Sequence, residues 1–344
     1  MAEQSRFISI AALAAIVLLG ACSPPRPAFD VYIAGYEETD SGLVLAVYWK
    51  NGEKTILESA GSAWAAAIDA AGGDLYIAGI EASPQGRLHA VYWKNGVKNI
   101  LSDDSSSAWA SAVDVAGSDV YVAGREMDPQ FRYRAVYWKN GEKSVLSEGP
   151  LSAMANAIAV SGPDVYVAGN DYNDTPPGMK AVYWKNGERT VLSGFAGNAM
   201  ASAAVISGTD IYFGGNEDSH AVYWKNGVKY TLPESAAAAS LINGMTVDAS
   251  GVYNAGNEIN SDGQAAAVYW KNTAKHILST GTNPGVINGI AVAGDDVFTA
   301  GKETGENNMN TAVYWKNGEK NVLPRDANVV SASANAIIAV PKKK

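Results

Sequence analysis

The chain has 344 residues, 47% hydrophobic and 18% charged, with 35 acids against 26 bases, three histidines and a single cysteine. A formal net charge of −9 repels nucleic-acid backbones and argues against them as partners, and one cysteine rules out an intrachain disulfide framework. Stability must come from packing, for which the apolar content is sufficient.

Phe7 to Leu19 is a mostly apolar run of thirteen residues, too short for a membrane span and the right length for the core of an export signal. It ends in Leu19-Gly20-Ala21-Cys22, which resembles the lipobox of bacterial lipoproteins, with the only cysteine at the position to be lipidated. The resemblance implies a signal peptide over residues 1–21 and a mature chain that starts at Cys22. Residues 22–29 form a tether in which Ser23-Pro24-Pro25-Arg26-Pro27 is short, stiff and extended. A non-acidic residue after the cysteine implies, by the enteric-type sorting rule, the outer membrane. The expected address is therefore the cell envelope, with membrane attachment through lipid.

From residue 30 onward the chain is a tandem repeat. Ala46-Val47-Tyr48-Trp49-Lys50-Asn51-Gly52 returns six times with few changes, and its tryptophans fall at Trp49, Trp93, Trp138, Trp184, Trp224, Trp270 and Trp315. Steps of 40 to 46 residues match one propeller blade. The apolar run reads as a strand, and Asn-Gly is a strong signal for a tight hairpin because both turn positions need positive φ. A short outer strand follows, as in Glu53 to Leu57. The sixth copy has Asn272-Thr273, so Thr273 is expected to be strained there. A tryptophan repeated at one strand position reads as core.

Two further β-prone segments complete each unit. One is small and apolar, from Ala65–Ala70 to Ala334–Ala339, and suits the crowded axis of a ring. The other begins at Asp30-Val31-Tyr32-Ile33-Ala34-Gly35 and recurs in every unit. Both are apolar on two faces, which requires cover on both sides. The expected fold is all-β: a seven-bladed β-propeller of four-stranded blades spanning residues 30–340, with a basic tail at 341–344. The chain enters at the second strand of a blade and ends on an inner strand, Ser333 to Val340, so three N-terminal strands and one C-terminal strand should close the ring.

These elements resemble the bacterial HAF-type extracellular repeats, with Ala-Val-Tyr where that family has His-Ala-Phe. The resemblance covers the whole mature chain and implies an exported propeller.

Catalysis needs convergent titratable groups, and the repeat offers none. His89 and His220 occupy equivalent places on separated blades, the second and fifth, and His276 lies in the sixth. No cofactor or metal pattern is present. Each blade carries an acid two residues after the second strand's glycine: Glu37, Glu81, Glu126, Asp171, Glu217, Glu258 and Glu303. These form a ring by symmetry, suited to accepting hydrogen bonds or to a diffuse field for cations.

Connections such as Ser83-Pro84-Gln85-Gly86-Arg87 and Asp128-Pro129-Gln130-Phe131-Arg132 differ in every copy and lie on one end of the ring, which makes that end the candidate binding face. At its mouth, equivalent positions hold Trp64, Trp109, Met154, Met200, Leu241, Val286 and Ser333. Two residues further in come Ala66, Ser111, Asn156, Ser202, Asn243, Asn288 and Asn335. These residues serve either blade-to-blade packing or a ligand pocket lined by Trp64 and Trp109. The expectation is a non-catalytic module binding an envelope or extracellular protein, peptide or glycan. A scaffold subunit of an envelope complex and a propeller hydrolase or lyase are the alternatives.

Overall fold

A computed structural model describes residues 29–174, 177–194, 197–234, 238–279, 284–305 and 308–342. The signal peptide, Cys22 and the tether up to residue 28 lie outside the described residues, as do Lys343 and Lys344. The described residues form seven antiparallel four-stranded sheets, each made of an inner strand a, two middle strands b and c, and an outer strand d. Blade 2 shows the plan, with Ala63–Ala71, Asp74–Ala82, Leu88–Lys94 and Val97–Ile100 in chain order; blade 3 follows with Ala108–Ala116, Asp119–Met127, Tyr133–Lys139 and Glu142–Val145, and blades 4, 5 and 6 span residues 153–191, 199–231 and 239–277. Blade 7 ends the series with Gly285–Ala293, Asp296–Thr304, Asn310–Lys316 and Glu319–Val322.

Blade 1 is composite. Its strands b, c and d are Phe29–Thr39, Val44–Lys50 and Glu53–Ile56, and its inner strand is Val329–Pro341 from the other end of the chain. The pairing runs from Phe29↔Pro341 to Thr39↔Val329. The ring is thus closed by three strands plus one. Strand b starts at Phe29, one residue inside the segment read as tether, because Pro341 extends the pairing that far.

The seven repeat tryptophans are buried to within 1%. Each lies in strand c, between its own blade and the preceding one. Trp49 Nε1 donates to Pro324 O at 3.0 Å, Trp93 Nε1 to Glu58 O at 2.7 Å, and Trp270 Nε1 to Pro233 O at 2.9 Å. These carbonyls belong to the loops leaving the preceding blade, so in these three blades the indole both fills the gap between sheets and ties it, whereas Trp138, Trp184, Trp224 and Trp315 fill it with no partner for Nε1 among the described residues.

The Asn-Gly turns have the geometry expected, with Asn51 at φ 50° and Gly52 at φ 88°. The asparagine also does a second job that periodicity did not disclose. Its Oδ1 accepts Val31 N and its Nδ2 donates to Asp30 Oδ1, both at 2.9 Å, which joins the c–d turn to the start of strand b. The Lys50 ammonium lies 5.1 Å from the centroid of the Tyr32 ring and 3.4 Å from Asp30. Blade 6 departs from this plan. Asn272 takes φ 55° but Thr273 does not adopt positive φ, so the expected strain at Thr273 is absent; the hairpin uses a turn that needs only its first residue left-handed. Gly251 replaces the aspartate there, and a Cβ at that position would lie 2.3 Å from Asn272 Oδ1.

Every inner strand contains one extra residue. The register against strand b skips Ala66, Ser111, Asn156, Ser202, Asn243, Asn288 and Asn335, the signature of a β-bulge. Each bulge pushes the carbonyl of the second residue before it toward strand b. A Cβ on Gly79 would sit 2.0 Å from Trp64 O, and one on Gly124 1.8 Å from Trp109 O, so only glycine fits opposite the bulge.

Ending the chain after Asn328 deletes the inner strand of blade 1 and leaves two sheet edges unpaired. The truncated protein is expected to melt at least roughly 10 °C lower, or to lose a cooperative transition altogether, in thermal unfolding followed by circular dichroism. A melting curve like that of the full chain would refute closure by this strand.

Candidate functional site

The starts of the inner strands and the b–c loops share one end of the ring, joined by backbone hydrogen bonds such as Ala82 N to Ser62 O at 2.7 Å and Met127 N to Ser107 O at 2.8 Å. This is the variable face. Trp64, Trp109, Met154, Met200, Leu241 and Val286 are half-buried there, and Ser333 is buried.

The polar residues read as mouth-lining are the bulge residues, and five of them reach sideways to the next blade. Asn156 Nδ2 donates to Ala201 O at 2.9 Å, and Ser202 Oγ to Ile242 O. Asn243 Nδ2 donates to Ile287 O at 2.8 Å, Asn288 Nδ2 to Ala334 O at 2.9 Å, and Asn335 Nδ2 to Ala65 O at 2.8 Å. Five of the seven junctions are latched in this way. Ala66 has no donor, and Ser111 makes no such bond among the described residues, which leaves the junctions from blade 2 to 3 and from 3 to 4.

Two aspartates that the repeat does not share latch those junctions from the opposite end of the inner strands. Asp69 Oδ2 accepts Val115 N at 2.9 Å, and Asp114 Oδ2 accepts Val160 N at 2.6 Å. Elsewhere the position is Ala159, Val205, Thr246, Ala291 or Ile338. Both carboxylates border an axial cavity of about 530 Å³ whose other walls are mainly aliphatic, among them Ile68, Val113, Ile158 and Met245. Burial pushes the Asp69 carboxyl up, and burial together with the charge of Asp69 pushes Asp114 up to about 6. Comparing the inner strands with one another reveals these two acids in the sequence. Reading the strands only as small and apolar hides them.

The seven ring acids are each paired with a base on strand d of the same blade. The pairs are Glu37–Lys54, Glu81–Lys98, Glu126–Lys143, Asp171–Arg189, Glu217–Lys229, Glu258–Lys275 and Glu303–Lys320, at 2.5 to 2.9 Å. Glu37 is fully buried, and burial raises its carboxyl despite the hydrogen bond from Lys54. His89 contacts Asp104 and His220 contacts Glu234, both at 2.9 Å, and His276 stacks on Tyr269. Among the described residues, no group of three or more His, Cys, Asp or Glu side chains could hold a metal ion.

Blade 3 carries a further cluster on the variable face. The Arg125 guanidinium lies 4.9 Å from the Trp109 ring and 5.0 Å from the Tyr133 ring, and the two rings meet edge-on at 5.5 Å and 82°. Arg125 is the middle residue of Gly124-Arg125-Glu126, where the other blades have Tyr36, Ile80, Asn170, Asn216, Asn257 and Lys302.

The folded Asp114 carboxyl titrates near 6 against an ordinary value of 3.8, so its charge destabilises the fold fully above pH 6, and that cost is relieved as pH falls toward 4. Asp114→Asn keeps an acceptor for Val160 N and removes the charge. It is expected to raise the melting temperature by a few degrees at pH 7, with the gain shrinking between pH 6 and pH 4. A gain independent of pH would show that the carboxylate is not the source.

No family model matches the chain, and no curated protein matches it. Among solved structures it is similar to the Pyrococcus horikoshii acylaminoacyl peptidase in its orthorhombic crystal form, with a TM-score of 0.55 and 12% identity over 88% of this chain. The chain spans 52% of that protein's length. The likeness is one of fold: a ring of β-sheet blades.

Proposed function

We propose that the chain is a lipid-anchored extracytoplasmic binding module, HAF-like in its repeats, which recognises a protein, peptide or glycan on its variable-loop face at blades 2 and 3 and has no chemistry of its own. The observation that carries this reading is the transfer of two inter-blade latches. At the junctions beside Trp64 and Trp109 the bulge side chain makes no latch among the described residues, Ala66 having no donor and the Ser111 hydroxyl reaching no carbonyl of the next blade, and the bond is made instead by Asp69 and Asp114 at the far end of the strands. The transfer buries two carboxylates beside the axial channel, and burial raises both. It leaves the mouth at those blades with aromatic surface and without a side-chain latch, the mix of apolar body and few polar groups that binding sites use.

A second reading, a propeller enzyme of the hydrolase or lyase type, draws on the peptidase relative in fold and on the raised carboxyl of Asp114. It is weakened by the use of both oxygens of Asp69 and one of Asp114 on backbone amides. A scaffold role in an envelope complex would use the same face.

Two experiments address the proposal. Trp64→Ala combined with Trp109→Ala should abolish capture of partners from envelope extract while leaving the fold intact, whereas Trp138→Ala, which empties a fully buried site, should cost about 3–5 kcal/mol. Normal capture by the double variant would remove the face assignment. For the anchor, Cys22→Ser should eliminate incorporation of labelled fatty acid. Label retained in that variant would contradict lipidation at Cys22.

A further inference from the structure

The repeat consumes its cations. Strand-d bases pair with the ring acids, and six of the seven strand-c lysines pair with the aspartates that open strand b. In the b–c loop of blade 3, Arg132 and Arg134 both bond to Asp128, at 2.8 and 2.7 Å. Burial opposes it, but the amides of Arg132 and Gln130 and the two guanidinium groups hold the Asp128 carboxyl down to about 2.

Arg125, on the strand that leads into this loop, is different. It makes no ion pair or hydrogen bond to any described residue, and its Nε is buried without an acceptor. Burial lowers its basicity, with Tyr133 acting the other way to a smaller extent. Its neighbours are two ring systems, Trp109 and Tyr133, whose centroids lie 4.9 and 5.0 Å from the guanidinium. Lys302 occupies the equivalent place in blade 7 without an aromatic partner. An unpaired guanidinium packed against two rings retains its unused donors in a planar fork, the geometry that matches a carboxylate.

A second feature of the same hairpin points outward. Phe131, at the tip of the b–c loop, is 83% exposed and adopts φ 60°, where the equivalent loops carry Gly42, Gly86, Gly263 and Asn308. An L-aromatic residue is strained in that conformation. The loop is nevertheless held in place: Asp128 Oδ1 accepts the amides of Gln130 and Arg132 at 2.8 and 3.0 Å, and Arg132 Nη1 reaches Pro150 O of the neighbouring connection at 3.3 Å. The result is a fixed apolar protrusion at the tip of the hairpin that carries Arg125, and aromatic residues with arginine are the composition of interface hot spots.

We infer that Arg125 is the receptor for a carboxylate group of the ligand, and that Trp109, Tyr133 and Phe131 take the apolar part of the peptide that bears it. The inference rests on the reading of the variable face as the binding face. This unpaired guanidinium offers a single bidentate fork, which one carboxylate fills.

The test uses the full chain, with the Arg125 Nε–H resonance followed by nitrogen-15 NMR. N-acetylphenylalanine should shift that resonance saturably and its amide should not. Acetyl-Phe-Glu-amide separates a side-chain carboxylate from a chain-terminal one; binding of either acid supports the inference, and the tighter of the two names the source. Arg125→Lys keeps the charge and loses the fork, and should bind the preferred acid at least about tenfold more weakly, measured by quenching of tryptophan fluorescence, with an unchanged melting temperature. Equal shifts with acid and amide, undiminished binding by Arg125→Lys, or tighter binding of phenyl phosphate than of either acid would overturn it. Capture from envelope extract separates this failure from that of the face itself. If Arg125→Lys still captures the partner and the Trp64 and Trp109 double variant does not, the carboxylate assignment falls and the face stands.

Discussion

The extra residue in each inner strand is the constraint on which the rest of the ring depends. One inserted position at Ala66 and its six equivalents drives a carbonyl into strand b, and that carbonyl leaves room only for hydrogen at Gly79 and its equivalents. The same insertion turns the bulged side chain toward the neighbouring blade, where asparagine or serine reaches a carbonyl one blade ahead. A propeller blade has little else near the axis with which to hold its neighbour. Small residues such as Gly244 and Gly289 allow close approach, with a Cβ on either only 3.1 Å from the facing backbone, but they bring no directional bond. The bulge supplies that bond without lengthening the strand.

Seen this way, the latches of blades 2 and 3 are a redistribution rather than a loss. Asp69 and Asp114 restore the inter-blade bond at the other end of the same strands, at the cost of placing two carboxylates beside aliphatic side chains. A fold selected only for stability would keep asparagine at all seven bulges, since a neutral amide makes the bond without desolvating a charge. Local compromises of this kind are expected where a surface is reserved for another use. Other departures lie in the core instead. Asn254 is fully buried with neither amide atom partnered, and Thr299 occupies the same place in blade 7, where Ile33, Ile77 and Val122 stand in blades 1 to 3. No physical account of these two polar residues follows from their surroundings.

The architecture could be read from the sequence because its signals are strong and repeated. The tryptophan spacing gives the blade, Asn-Gly gives the c–d hairpin, and the order of the terminal segments gives the composite blade. The bulges were hidden because a break in alternation has no visible mark in a strand such as Ala63 to Ala71, where nearly every residue is small and apolar. For that reason the asparagines could be placed at the mouth but not aimed. Thr273 was misjudged because the turn type was carried over from six copies to the seventh, whereas two-residue hairpins have a form that spares the second position. Arg125 is hidden for the opposite reason: the repeated acid after it dominates Gly-x-acid, while the middle position, Asn in three blades, carries arginine in blade 3 alone.

Repetition also decides where recognition can arise. Seven copies of the same ion pair neutralise one another's fields around the ring, and beyond a Debye length of about 8 Å little of any single pair is felt. The conserved plan therefore offers a ligand no preferred blade. Selectivity must come from residues that break the symmetry, and on the variable face Trp64, Trp109, Arg125, Phe131 and Tyr133 do so within two adjacent blades. The bulges next to them, Ala66 and Ser111, are the two that give up their latch. Packing alone would not require these substitutions to coincide with an unpaired guanidinium; a ligand seated across blades 2 and 3 would.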